Sequence, residues 1–205
     1  MMNETTKHSS KRTLQKENSR RLLMNAAVTC FSSNGFHNTG IAQIAKEAGM
    51  SAGNLYRHFS GKQDFIIALV EEQQYSMIKH AQKNLNTDNS IEGIIQLLHD
   101  YIYMPVYSMD QKLWLEILSE ASRNDEIQNI LRKNNLLVQQ SFQHLLAEAV
   151  VSDSLDPSYQ VESLALWLQA MINGLTMRIA IDKNFDINQH FDQFAHIIRR
   201  TLQSR

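Results

Sequence analysis

The chain has 205 residues, 43% hydrophobic and 20% charged, with a net charge of −1, which excludes disordered and collagen-like classes and suits one two-part core or two small domains. Seven glycines and two prolines, Pro105 and Pro157, leave few turn residues for a β-sandwich or barrel, so an all-α fold is expected. The charge is uneven: residues 1–62 hold nine Lys or Arg against three acids, a net of +6, and the remainder carries −7.

Residues 1–13 are polar and weakly basic without apolar periodicity and read as a flexible basic arm. From Lys16, the residues Leu22, Leu23, Ala26, Ala27, Cys30 and Phe31 recur at spacings of three and four, predicting a helix that stops at Asn34 and Gly35. Ile41, Ile44, Ala45 and Ala48 predict a short helix ended by Gly49, and Ser51 caps a second one holding Leu55, Tyr56 and Phe59. Ser60 and Gly61 then break the chain before a long amphipathic helix from Lys62 to Asn84, with Phe65, Ile66, Leu69, Val70 and Ile78 inward. Five more helices are expected over 91–104, 111–122, 125–151, 158–182 and 188–203, with Pro105 and Ser108 ending the first and Pro157 in the first turn of the fourth. The domains expected are therefore the arm, a small helical domain over 14–61 and a larger one over 62–205.

Two short helices joined by a glycine turn, the second opened by a hydroxyl cap, form the helix-turn-helix pattern whose second helix enters the DNA major groove. The residue types of Ser51 to Lys62 fit that role. Ala52 and Gly53 permit close approach to base edges, Leu55 and Phe59 point to a core, and Ser51, Asn54, Tyr56, Arg57 and His58 put polar groups on the exposed side. The helix starts near Ser51 and Lys62 offer amide groups to phosphate. A compact basic segment suits a polyanion, because each phosphate contact releases condensed counterions.

The stretch GFHNTGIAQIAKEAGMSAGNLYRHFSGKQDF, Gly35 to Phe65, closely resembles the DNA-binding domain of the tetracycline-repressor (TetR) family. The matching elements are the aromatic after Gly35, Thr39, Ile44-Ala45, Ala48-Gly49, Ser51, Gly53, Leu55-Tyr56, His58-Phe59 and Lys62. The resemblance implies a homodimeric, ligand-responsive repressor of a palindromic operator with a divergent C-terminal regulatory domain. It also implies that Tyr56, His58 and Lys62 meet the phosphate backbone, that Ala52, Gly53 and Tyr56 face bases, and that Thr39 belongs to the interface. Two departures are Gly40, where relatives carry Ser or Thr, and Ala42, which has no polar reach, so base reading must lean on the second helix and on DNA shape.

Other chemistry is weakly represented. Eight histidines show no HExxH pattern and the lone Cys30 gives no thiolate cluster, so neither metal nor cofactor is expected. No GxSxG, P-loop or GxGxxG occurs, and no catalytic residue is assigned. Glu116 and Glu120, one turn apart, read as solvated charges or an interhelix salt bridge, with Glu116 a partner for a cationic ligand. The acidic part carries aromatics and methionines suited to a cavity wall: Tyr75, Ile78, Tyr101, Met104, Trp114, Phe142, Trp167 and Met171. Leu164, Leu168, Leu175 and Ile179 on one helix, with Phe194 and Ile198 on the last, form apolar faces that suit a four-helix bundle across a twofold axis.

A reducing, cytoplasmic setting fits the lone thiol. No uninterrupted apolar run approaches the ~18 residues of a membrane span, and residues 1–20 are polar where a secretory signal is apolar. The expected function is therefore a DNA-binding regulator released by a small apolar or amphipathic inducer. The alternative is a helical ligand-binding or enzymatic protein whose basic N-terminal part binds an acidic partner or membrane, and salt dependence on specific and random duplex separates the two.

Overall fold

The computed structural model describes residues 4–84, 89–104, 107, 109–152, 155–156 and 158–203. The helix break assigned to Pro105 and Ser108 and the helix start at Pro157 lie outside the described residues. Among those described, the elements are α1 (Glu4–Asn34), α2 (Ile41–Glu47), α3 (Ala52–Tyr56), α4 (Lys62–Asn84), α5 (Ser90–Tyr103), α6 (Gln111–Ala121), α7 (Asp125–Val151), α8 (Val161–Ile181) and α9 (Phe191–Leu202). The all-α expectation holds.

α1 begins well before Lys16. Glu4 to Thr13, expected as a flexible arm, is helical, as an upstream extension of a helix already anchored downstream by its buried residues from Leu23 onward. Leu22, expected inward, is exposed, and Met24 is buried in its place beside Leu23, Ala27 and Phe31. α1 stops at Gly35, whose φ of 79° suits glycine, and whose amide donates to the Phe31 carbonyl at 2.8 Å.

The chain divides into two compact units, one ending at Leu69 and one beginning at Val70. The division falls inside α4 rather than at the Ser60 to Lys62 break, because Phe65, Ile66 and Leu69 are fully buried in the first unit. There the rings of Phe59 and Phe65 stack with centroids 3.9 Å apart, and Phe31 meets Phe65 edge-on at 6.4 Å. In this unit α1 packs on α2, and α2 on α3.

The second unit has a core built from α5, α7, α8 and α9, including Ile94, Leu98, Phe142, Leu145, Leu168, Ile172 and Leu202. Asn89, Asp110 and Asn124 cap α5, α6 and α7 with their side chains. Arg199 of α9 donates two bonds to the Glu92 carboxylate of α5, at 2.5 and 2.8 Å, and holds that carboxyl below the usual range. α4 is tied to α5 by the buried Asp100, which accepts from Gln96 at 2.8 Å and lies 2.9 Å from His80 Nδ1.

Candidate nucleic-acid interface and ligand cavity

The α2–α3 turn is set by backbone chemistry. Gly49 has φ 66° and its amide donates to Lys46, while the Met50 amide donates to Ala45 at 2.8 Å. Ser51 is the N-cap of α3, its hydroxyl oxygen accepting from the Asn54 amide at 3.2 Å. Gly40 caps α2 with no side-chain bond. Leu55 anchors α3 to the core, which leaves Ser51, Ala52, Gly53, Tyr56 and Arg57 exposed along its outer side. A Cβ added at Gly53 would meet nothing within 4 Å, so the space over this face is open.

Beside α3 lies an open groove of ≈ 830 Å³ lined by Arg12, Thr13, Gln15, Lys16 and Ser19 of α1 with Asn54, Arg57 and His58. Among the described residues, no acidic side chain lines it. His58 is held below its ordinary pKa by partial burial first, then by Lys16, Arg57 and Arg20. At neutral pH it is therefore an uncharged ring offering one donor and one acceptor.

Two expected contacts have other roles. Thr39 is 1% exposed, and its hydroxyl lies 2.8 Å from the Gly35 carbonyl and 3.1 Å from that of Cys30, donating to them rather than to a phosphate. It locks the α1–α2 turn. The Lys62 ammonium donates to the carbonyls of Phe36 at 2.8 Å and His37 at 3.0 Å and sits over the Phe36 ring at 4.8 Å. Two of its three donors are thus used within the fold, and one is left for a phosphate. Arg12, in the expected arm, and Lys16, at the expected helix start, were not singled out in the sequence, because their polar surroundings gave no sign that α1 carries them beside α3.

The second unit holds two small cavities that share Tyr101. One, of ≈ 30 Å³, is lined by Gln73, Tyr101, Ile102, Met109, Asp110, Gln111, Trp114 and Thr176. The other, of ≈ 10 Å³, is lined by Gln74, Met77, Ile78, Leu97, Tyr101, Asn134, Leu137, Val138 and Ser141. Desolvation pushes the Tyr101 hydroxyl up to about 12, so it stays neutral. Of the expected wall, Ile78, Tyr101 and Trp114 line these cavities. The others do not. Tyr75 and Met104 face solvent, Trp167 is 42% exposed on α8, Phe142 is sealed in the core, Met171 packs against that core, and Glu116 lines neither cavity.

The residues expected at a dimer face are mostly covered within the single chain. Leu164, Leu168 and Ile198 are core residues of the single chain, and Leu175, Ile179 and Phe194 are half-buried. The exposed side of α8 carries Leu166, Ala170, Gly174, Met177 and Ile181 at helical spacing, and Ile197 is exposed on α9. Sequence shows both sides of α8 as apolar; packing decides which one the chain itself covers. α8 is long and apolar enough, on length and composition alone, to cross a membrane, with 28% of that stretch buried inside the chain.

A helix-turn-helix with an exposed face, flanked by cations and continued by α4 into a second helical unit, is the arrangement of a DNA-binding regulator. The chain matches the family of bacterial regulatory proteins of the tetR type over residues 23–69, and the BetI-type transcriptional repressor C-terminal family over 108–204. It is 25% identical over 142 residues to the HTH-type transcriptional regulator UidR of Escherichia coli K12, covering 67% of this chain and 69% of that protein. Among solved structures it is similar to Salmonella enterica GusR, with a TM-score of 0.74 at 24% identity over 89% of this chain and 92% of that one. A regulator from Saccharomonospora viridis in complex with choline gives a TM-score of 0.80 at 18% identity over 92% and 100%. The chain belongs to the TetR family and is a DNA-binding transcriptional regulator.

Proposed function

We propose that the protein works as a homodimeric repressor in the cytoplasm, binding a palindromic operator through α3 and leaving it when a small uncharged molecule with an apolar body enters the cavities around Tyr101. Its work is binding, not catalysis. The observation that carries the DNA reading is the open face of Ser51, Ala52, Gly53, Tyr56 and Arg57 beside the groove of Arg12, Lys16, Arg57 and His58, which no acidic side chain lines among the described residues. The cations Arg12, Lys16 and Arg57, with the remaining Lys62 donor, meet phosphates, which fix register, while the small residues of α3 admit base edges.

Dimerisation is supported by the exposed stripe Leu166, Ala170, Gly174, Met177 and Ile181. An apolar face of this length is costly in water, and Ala170 and Gly174 at its centre permit two copies of α8 to approach closely. A partner helix, not a lipid, is its fitting cover in a DNA-binding protein. Ligand and DNA are linked through α4, which runs unbroken from Lys62 to Asn84 and supplies Gln73, Gln74, Met77 and Ile78 to the cavities. A molecule wedged against these residues shifts the helix that begins at Lys62.

The reading requires reciprocal coupling. In a Trp167→Phe variant, Trp114 is the remaining tryptophan and reports on the cavity. A compound that changes its fluorescence is expected to bind about 5- to 150-fold more weakly when operator duplex is present. Equal affinity in both titrations would overturn the induction reading.

A further inference from the structure

Asn134 stands in the apolar stripe of α7, one helical turn from Leu131 and Val138, at 1% exposure. Neither its side-chain oxygen nor its nitrogen has a hydrogen-bond partner among the described residues. Leucine at this position would continue the stripe, and both halves of a buried carboxamide left unpaired oppose folding. The group lines the cavity enclosed by α4, α5 and α7, where its neighbours are Gln74, Met77, Ile78, Leu97, Tyr101, Leu137, Val138 and Ser141. Among the described residues, no charged side chain lines that cavity. In the adjoining one, reached past Tyr101, Asp110 is already occupied as the cap of α6, accepting from the Leu113 amide at 2.8 Å.

Resting on the ligand-responsive reading above, we propose that Asn134 is the recognition point for the effector, and that the site takes an uncharged molecule bearing a hydrogen-bond donor and acceptor side by side on an apolar body, as a carboxamide does. The Asn134 nitrogen donates to the ligand's oxygen, and its oxygen accepts from the ligand's N–H or O–H. A carboxylate ligand satisfies the nitrogen alone and sets its charge against the Asn134 oxygen. An ammonium satisfies the oxygen alone. Either ion loses its hydration beside Asn134, where no charged side chain among the described residues stands to pair with it. The cavities hold ≈ 30 and ≈ 10 Å³, room for about a water each, so entry turns the Tyr101 ring aside and joins them.

The test uses the full chain labelled with nitrogen-15 and four probes of one shape: benzamide, toluene, benzoate and benzylammonium. The Asn134 side-chain amide resonance is assigned by its loss in Asn134→Leu. Benzamide is expected to shift that resonance and to bind the variant about tenfold more weakly. Toluene should bind both proteins alike, and the two ions should leave the resonance unmoved. The proposal is overturned by a resonance that benzamide does not shift up to its solubility limit, the result expected of a fixed internal water. It is equally overturned if an ion shifts the resonance as strongly, or if benzamide binds Asn134→Leu as well as the wild type. Preference of the wild-type protein for a selected genomic duplex over a random one is measured in parallel. Its absence would overturn the regulator reading and leave the benzamide result standing.

Discussion

Lys62 shows how one side chain serves both fold and function. Its two bonds to the Phe36 and His37 carbonyls fasten the α1–α2 turn to the start of α4. Lys62→Ala is therefore expected to lower unfolding free energy by about 1–2 kcal/mol in denaturant titrations, besides weakening binding to all duplexes. Unchanged stability with a reduced salt slope would make Lys62 a plain phosphate contact. His58 gives a pH signature. Its folded pKa lies below the ordinary value, so the unfolded chain takes up the proton first as pH falls. The stability from the neutral ring is complete above about pH 6.5 and is lost as pH drops through the folded pKa. An operator phosphate reverses the preference by favouring the imidazolium. Operator affinity should then rise as pH falls from 7.5 toward 6, and His58→Gln should flatten that trend in binding titrations. Several residue roles were open to sequence reading and others were not. Ser51, Gly53 and Tyr56 lie on the expected face because a capped five-residue helix has few ways to bury Leu55. The buried, carbonyl-bonded position of Thr39 was not legible, because a hydroxyl beside a helix start looks alike whether it bonds a phosphate or a carbonyl. Asn134 did leave a sign: one polar residue in a stripe of Ile127, Leu131, Val138, Phe142 and Leu145.

Among the elements, α3 has the sharpest requirement, since its outer face must be low enough for the groove. Gly53→Leu meets open space within the chain, so helicity should persist while specific DNA binding falls by at least about tenfold in the same titrations; unchanged binding would place another element in the groove. The middle of each helix was legible, because periods of three and four in residues such as Leu23, Ala27 and Phe31 follow directly from burial of one face. Boundaries were less so. α1 reaches upstream to Glu4 without apolar residues, as an extension of a helix anchored downstream, and the first unit takes Phe65 to Leu69 of α4 because those side chains complete its aromatic core. α8 shows the limit of periodicity: a helix apolar on two sides does not say which side faces its own chain.

At the scale of the whole molecule, the account requires two copies. Gly174 sits mid-stripe with nothing within 4 Å of an added Cβ, so Gly174→Gln combined with Met177→Glu is expected to give helical monomers by sedimentation. A dimer that persists would move the interface off this face of α8. Two recognition helices must then be about 34–36 Å apart, or a multiple of it, to enter grooves on one side of the duplex. The division of charge, basic to Lys62 and acidic beyond it, was plain in the sequence and assigns polyanion binding to the first unit. The inducer's chemistry was not, because it depends on which side chains the packing of α4 to α8 turns inward. The most direct measurement selects genomic fragments on the protein, then titrates the best fragment and a random duplex of equal length at physiological salt. The account predicts an inverted repeat bound about 10³-fold or more tightly than the random duplex. Equal affinities that fall together as salt rises would reduce the basic surface to unspecific attraction and contradict it.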